Sequence, residues 1–417
     1  MSPRLLWWLV PLALVLVRLY NAQALPFHHG LDNYGHVLEL KTIVVDDRIP
    51  LANEGFSAYH PPLYYQVSGL VWRLVGSPPE GPWKAAQWVS TLSSLGLLAC
   101  TWACARRLLP GYEWFAVTAL AALPMELTTA AMIYNVPLAA LLAGLFMGVL
   151  LRAWPREQPL LWEEAALGLL AGAACLTRLD GFMLLAGVAG LAAHRLRQGR
   201  PRVDALLSAA LATLLACGVS GWFYLRNLAE FNRFLVTNAQ DEMFPFWGIM
   251  ETLPGFRSAT FYLGGDLSLL ANPDFPSQTP YFWGMEYASL WWDHLRFFNP
   301  RHSPAAGRLL LVLGLGPTVL SLLGLGGVVA HRQRCAQWAP VLLMGGSSVA
   351  LHLLFTLTAP LYSAVKPVYL FAALCPWALL TGAGTAQILE RRPGLSLGLH
   401  AAFTVLAICV GSALLYR

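Results

Sequence analysis

Residues 309–330 read Leu-Leu-Leu-Val-Leu-Gly-Leu-Gly-Pro-Thr-Val-Leu-Ser-Leu-Leu-Gly-Leu-Gly-Gly-Val-Val-Ala, without one ionisable side chain. As an α-helix this stretch rises about 30 Å, the thickness of a bilayer's hydrocarbon core. Its glycines suit close packing against a neighbouring helix rather than a phosphate loop. With the residues just before it, it forms one candidate span, 307–330. Ten more apolar segments accompany it, at 5–22, 85–105, 112–130, 133–151, 164–177, 180–194, 204–225, 337–360, 367–388 and 395–415. The whole chain agrees: 57% of its 417 residues are hydrophobic, 12% are charged, and the mean hydropathy is +0.55. Soluble domains carry about 25% charged residues. A soluble globule, a disordered chain and a basic nucleic-acid binder are excluded, leaving an all-α polytopic membrane protein in contact with the bilayer. The seven cysteines lie in or beside apolar segments and read as small buried hydrophobes.

Arginine placement orients the spans. Arg106 and Arg107, Arg152 and Arg156, the Arg195–Arg202 cluster, Arg332 and Arg334, and Arg391 and Arg392 must share the cytoplasmic side. With Arg4 also inside, eleven spans satisfy every cluster and place the C-terminus outside. Thr177–Arg178–Leu179–Asp180 becomes a tight turn on the opposite face. Two long stretches, about 22–84 and 226–305, then lie on the non-cytoplasmic side and hold most of the acidic residues. The expected organisation is an N-terminal membrane module, 1–225, carrying the first loop. An aromatic-rich second loop, 226–305, and C-terminal helices, 306–417, follow. Long loops of this kind are usually functional.

The first loop opens Phe27-His-His-Gly-Leu-Asp32-Asn-Tyr-Gly-His36. A helix from this point puts Asp32, His36 and Glu39 on one face at i, i+4 and i+7. Asp32 either caps that helix or presents a carboxylate that takes a proton from an acceptor hydroxyl. The later segment His60-Pro-Pro-Leu-Tyr64-Tyr-Gln-Val-Ser-Gly-Leu-Val-Trp-Arg-Leu is too short to span and reads as an interfacial helix. His28, His29, His36, His60 and Glu54 are possible ligands for a divalent metal, without metal-motif spacing. Solvated or hydrogen-bonded histidines are the plainer reading.

Arg178, Arg226 and Lys366 fall at the outer ends of spans, and Arg18 near the end of the first. Long basic side chains snorkel to headgroups, and Arg18 is read that way. The other three either snorkel or converge on a phosphate. The second loop is crowded with aromatics, from Phe244, Phe246 and Trp247 through Phe275 to Trp291, Trp292, Phe297 and Phe298. An interface belt accounts for them, as does a groove for a sugar and an apolar chain. Asp241, Glu242, Glu286, Asp293 and His294 are minor candidates for acceptor contacts.

The order of these motifs resembles the GT-C glycosyltransferases, in particular protein mannosyltransferases and aminoarabinose transferases that use polyprenyl-phosphate sugars. The resemblance rests on Asp32 with Gly35–His36 one turn on, then His60-Pro-Pro-Leu-Tyr-Tyr. Tyr134-Asn-Val-Pro-Leu138, Thr177-Arg-Leu-Asp-Gly181, Gly221-Trp-Phe-Tyr-Leu-Arg226-Asn, Ser289-Leu-Trp-Trp and Lys366-Pro-Val-Tyr369-Leu-Phe follow. It departs where Asn33 stands beside Asp32 in place of a second acid, and where Val136 replaces an acid.

The resemblance implies a GT-C-like bundle of about eleven membrane helices with two large outer-face loops. It implies transfer of a sugar from a polyprenyl-phosphate donor to a protein, lipid or glycan acceptor, with inversion by in-line displacement, in a cell membrane with the site facing away from the cytoplasm. Asp32 is the expected base. Arg226, Lys366 and Arg178 are expected at the donor phosphate, and His36, His60, Tyr64, Glu54 and Tyr369 at substrate. The alternatives are a non-catalytic lipid or solute transporter, a membrane scaffold subunit, and a ligase using a diphosphate-linked oligosaccharide. Transporters show paired halves and helices broken at mid-membrane, neither of which the sequence displays.

Overall fold

The computed structural model describes residues 6–156, 160–237, 258–265, 267–273, 281–293, 297–298, 303–359 and 364–416. Asp241, Glu242 and His294, with Phe244, Phe246, Trp247 and Phe275, lie outside these. The described residues are helical, with no strand among them.

Helix α1 (Leu9–Ala24) leads into the first loop, which holds α2 (Asn33–Val44) and α3 (Leu63–Leu74). There follow α4 (Trp83–Leu108), α5 (Glu113–Ala121), α6 (Pro124–Thr129), α7 (Val136–Ala153), α8 (Leu161–Cys175), α9 (Leu184–Arg197) and α10 (Arg202–Phe231). The second loop contributes α11 (Ala259–Leu263) and α12 (Phe282–Trp291), before α13 (Pro304–Ala330), α14 (Arg332–Thr358), α15 (Leu374–Arg391) and α16 (Ser396–Ala413). Short 3-10 helices, Leu179–Met183 and Pro367–Ala373, precede α9 and α15.

Eight of these segments are long and apolar enough to cross a membrane, and the chain is an integral membrane protein. The other three expected spans are shorter helices. The segment at 5–22 is α1, with 16 residues, and that at 164–177 is α8, with 15. The continuous span expected at 112–130 is broken at Leu123 into α5 and α6. Pro124 explains the break: its ring cannot follow an α-helical residue without a clash, and Leu123 is extended at ψ 114°.

That break is sealed from within. Arg18, expected to snorkel, is instead fully buried. It pairs with Glu126 and donates to Ser94 Oγ at 3.0 Å and to the freed Ala121 carbonyl at 2.9 Å. A charge in the membrane interior is tolerated when paired and hydrogen-bonded. The chain's two ends meet beside it: Asn21 donates to the Leu414 carbonyl at 2.8 Å and accepts from the Tyr416 N–H at 2.9 Å.

Helices α13 and α15 pack closely. A Cβ on Gly324 would sit 2.0 Å from the Leu380 carbonyl oxygen, and one on Gly384 1.9 Å from that of Leu320. The long helices run between two chemically different ends. One end carries Arg152 and Arg156 beside Glu163, Arg195 on Glu164 at 2.7 Å, and Arg334 beside Glu390. The opposite ends of α7, α8, α9 and α15 converge near Asn135, Arg178 and Tyr369.

Candidate functional site at the helix ends opposite the arginine clusters

The site is built on α2. Its first turn hangs from Asp32, whose carbonyl accepts from the Gly35 and His36 N–H groups at 3.1 and 3.3 Å. Asp32 stands at the cap position, yet its side chain makes no capping bond, and its backbone is left-handed at φ 53°, ψ 21°. Among the described residues its carboxylate makes no hydrogen bond and no ion pair. Aspartate enters this backbone region more readily than most residues, but strain of this kind costs about 1–3 kcal/mol and gathers at functional sites. Local structure therefore does not use the carboxylate as a cap. Its charge instead reaches the phenols of Tyr59, Tyr134 and Tyr369.

The expected common face of α2 is present, with His36 fully buried and Glu39 2% exposed. Gly35 lets the loop close over it, since a Cβ there would lie 2.1 Å from Ser57 Oγ. His36 meets the Tyr65 hydroxyl through Nδ1 at 2.7 Å, stacks on His60 at 5.2 Å and meets Tyr134 edge-on at 5.0 Å. Burial, and after it the charge of Arg178, lower its pKa to about 3, so the ring is neutral at physiological pH.

Arg178 closes the opposite wall. The Thr177-Arg-Leu-Asp turn folds back so that Asp180 accepts from Nε at 3.0 Å and from Nη2 at 3.2 Å. Asn135 accepts from Nη1 at 3.0 Å. The guanidinium lies 5.6 Å from the ring centres of both Tyr369 and Phe371. Asp32, His36, His60, Arg178 and Tyr369 thus belong to one cluster of polar and aromatic groups.

Lys366 lies beside it rather than in it. It lines a cavity of about 60 Å³ with Leu31, Thr128, Thr129, Trp292 and Asp293. Among the described residues its ammonium has no hydrogen bond or ion pair. Leu31, which lines this cavity, is next to Asp32 in the chain.

Arg226 stands apart from both. Its Nη1 and Nη2 donate to the carbonyls of Ile49 and Pro50 at 3.3 and 3.0 Å, pinning the first loop to α10. Glu54 is nearby on the loop surface, accepting from the Leu51 N–H at 2.9 Å and pairing with Arg48. That backbone bond, and after it Arg48, hold its carboxyl below the usual range. The Tyr64 hydroxyl bonds to the Ala86 carbonyl, Ser90 and the Tyr134 N–H at 2.9, 2.9 and 3.0 Å, a structural staple. Its neighbour Tyr65 faces the site. Sequence reasoning passed over Tyr59, Tyr65, Tyr134, Asn135 and Asp180 as site residues. For the last four the signal existed, because they stand inside motifs already singled out.

The second loop's aromatics divide. Phe261, Phe282, Trp291 and Trp292 are buried, whereas Trp283 is exposed. An interface belt therefore accounts for only part of them. Among the described residues no group of three or more His, Cys, Asp or Glu is placed to hold a metal ion.

No family model matches the chain, and no curated relative does. Its fold is nevertheless found among solved structures. It is similar to ArnT from Cupriavidus metallidurans bound to undecaprenyl phosphate, with a TM-score of 0.58 and 18% identity over 97% of this chain and 64% of that one. It is similar also to the archaeal oligosaccharyltransferase AglB from Archaeoglobus fulgidus in complex with an inhibitory peptide and a dolichol-phosphate. There the TM-score is 0.55 and the identity 12%, over 98% of this chain and 56% of that one. The chain spans less than two thirds of either neighbour's length. It shares the fold of these two solved structures.

Proposed function

We propose that the protein is a membrane glycosyltransferase that moves a sugar from a polyprenyl-phosphate donor to an acceptor, with Asp32 as general base. The observation that carries this reading is Asp32: its backbone is left-handed, its carboxylate has no hydrogen bond or ion pair among the described residues, and its charge reaches three tyrosines, of which Tyr369 packs on Arg178. In the reaction an acceptor hydroxyl or amine attacks the anomeric carbon as its proton passes to Asp32. The bond from that carbon to the phosphate oxygen breaks, and the electron pair leaves with polyprenyl phosphate. One in-line displacement inverts the configuration.

The leaving phosphate needs positive charge. Lys366 is the cation best placed to give it, since nothing in the described structure neutralises it. Arg178 is largely balanced by Asp180 and serves to hold the Tyr369 wall. Arg226 shapes the first loop through main-chain carbonyls, and its charge, shared with Glu230, adds to the field over Glu39 and Glu54. His60 and Tyr369 would contact the sugar. The site would lie on the non-cytoplasmic side, because the arginine-rich helix ends belong to the cytoplasm.

The broken segment α5–α6 is a trait shared with transporters. Here the break is filled by Arg18 and Glu126 rather than by a solute site, which favours the enzyme. The test is transfer from a panel of polyprenyl-phosphate sugars by purified protein, wild type beside Asp32→Asn. Asparagine accepts the same left-handed backbone, so the variant should fold and bind donor. Its turnover should fall by about 10²–10⁴-fold, the usual worth of a positioned base. Wild-type turnover by Asp32→Asn would refute the assignment of the base. Failure of the wild type to bind any such lipid would refute the transferase.

A further inference from the structure

A buried pair that the transfer step leaves unused joins the second loop to the membrane bundle. Glu286 on α12 and His352 on α14 are 5% and 2% exposed, and share a hydrogen bond of 2.8 Å between Oε1 and Nε2. The sequence makes Glu286 a minor candidate for acceptor contact, but the fold spends its carboxyl on this histidine. The remaining atom of each, Glu286 Oε2 and His352 Nδ1, is buried without a hydrogen-bond partner. A half-satisfied buried pair is a poor source of stability, and apolar residues of similar volume commonly do as well or better. Stability alone therefore does not account for it.

The histidine ring has a neighbour that belongs to the site. It stacks on Tyr369, with centroids 5.5 Å apart and planes 20° from parallel. Tyr369 stands in the 3-10 helix Pro367–Ala373, and among the described residues its hydroxyl makes no hydrogen bond. Ring contacts therefore hold it: His352, Phe355 at 4.8 Å and the Arg178 guanidinium at 5.6 Å. The imidazole can hold its neighbour in one orientation only if its own plane is fixed. Rotation about the last bond of a histidine side chain is broad and roughly two-fold, so rotamer preference does not set that plane. Two residues of α12 do. Phe282 leans on the ring at 5.4 Å, and Glu286, one turn on, anchors Nε2, which any turn of the ring would carry away from Oε1.

We propose that Glu286 and His352 are a positioning pair that fixes the Tyr369 ring at the Asp32 cluster, so that the second loop sets where the sugar of the donor lies. The chemistry served is a sugar hydroxyl or ring face, either of which a fixed phenol can meet. A misplacement of about 1 Å in such a wall can cost a reaction about a hundredfold. The inference deepens the transfer reading and rests on it for the substrate, although the placing of the ring can be measured without turnover.

The experiment is fluorine NMR of the full chain in detergent micelles, labelled with 3-fluorotyrosine, with the Tyr369 signal assigned by its loss in Tyr369→Phe. Glu286→Leu removes the bond and leaves the rings in place, and it should shift or broaden the Tyr369 signal. Glu286→Gln still accepts from Nε2 and should leave the signal where it stands in the wild type. In a His352→Phe background, Glu286→Leu should add nothing further. That double variant, apolar on both sides, should melt near the wild type and still carry a displaced signal. An unmoved signal in folded Glu286→Leu, or an equal shift from Glu286→Leu with and without His352, overturns the pair. If Glu286→Leu does not fold alone, a wild-type signal in the double variant overturns it.

Where transfer is seen, Glu286→Leu and the double variant should each lose about tenfold in kcat with donor KM little changed, and Glu286→Gln should keep kcat within about threefold. A merely structural pair would move activity only together with the melt. A double variant that both melts and turns over like the wild type therefore overturns the positioning role while leaving the transferase intact. Absence of transfer from any donor refutes the transferase and leaves the Tyr369 result standing.

Discussion

Asp32 and Lys366 divide the work of a transfer reaction between a base and a counter-charge, and each invites a separate perturbation. Lys366→Gln removes a cation that has no ion pair among the described residues, so donor affinity should fall about tenfold while the protein keeps its melting temperature. Titration calorimetry with the lipid donor checks this, and unchanged affinity would move the phosphate elsewhere. His36 gives a pH signature of its own. Its ordinary pKa near 6.5 drops to about 3 through burial and then the Arg178 charge. The folded chain therefore refuses a proton that the unfolded chain accepts below pH 6.5. The stability this residue supplies is complete above that value and declines as pH falls toward 3, by up to about 1.4 kcal/mol per pH unit. His60, Tyr65, Tyr134 and Arg178 face the ring, and Glu39 titrates in the opposite sense. The clean readout is thus the difference between wild type and His36→Gln, whose stability advantage should shrink between pH 7 and pH 4. A constant difference would mean that His36 is already charged or exposed.

At the scale of the element, helix contacts make two predictions. Gly324→Ala forces a methyl against the Leu380 carbonyl and should destabilise the α13–α15 pair by about 1–3 kcal/mol. Gly316→Ala, on the same helix with open space around it, should be silent in the same melt. Removing either partner of the buried Arg18–Glu126 pair should cost about 3–5 kcal/mol, whereas Arg18→Met with Glu126→Gln together should recover much of it. Equal losses in single and double variants would show that the pair seals nothing.

These elements also show what the sequence made legible. Long spans such as Pro304–Ala330 were visible because twenty apolar residues in a row have few other uses. The shared face of Asp32, His36 and Glu39 followed from helical periodicity alone. The burial of Arg18 did not, because its partner lies 108 residues away and nothing periodic links them. Nor did the choice between Tyr64 and Tyr65. On α3 the side chains that turn inward are Tyr64, Tyr65, Ser68 and Gly69, while Leu70 and Leu74 stay exposed. Leu63, Val67 and Val71 are only partly buried against the core, so the aliphatic spacing did not mark the face that the tyrosines occupy.

For the molecule as a whole, sidedness is the property with most at stake. Cysteines introduced at the exposed positions Glu80 and Gln198, in a background without the native Cys217, should react with an impermeant thiol reagent from opposite faces of sealed vesicles. Glu80 should react from outside. Labelling of both from one side would overturn the expected eleven-span topology and the proposed side of the site with it.

The bonds between Asn21 and the chain around Leu414 and Tyr416 carry a consequence for biogenesis. As the ribosome delivers the helices one at a time, α1 enters the bilayer with a carboxamide whose partners are almost four hundred residues from being made. Until α16 arrives, that amide is an unsatisfied polar group close to lipid. The segment around α16 therefore does more than add length, because it satisfies a group that α1 brings into the bilayer. Chains truncated after Arg391 should keep α1 accessible to membrane quality-control proteases, and supplying residues 392–416, which carry Leu414 and Tyr416 just past α16, as a separate peptide should protect them.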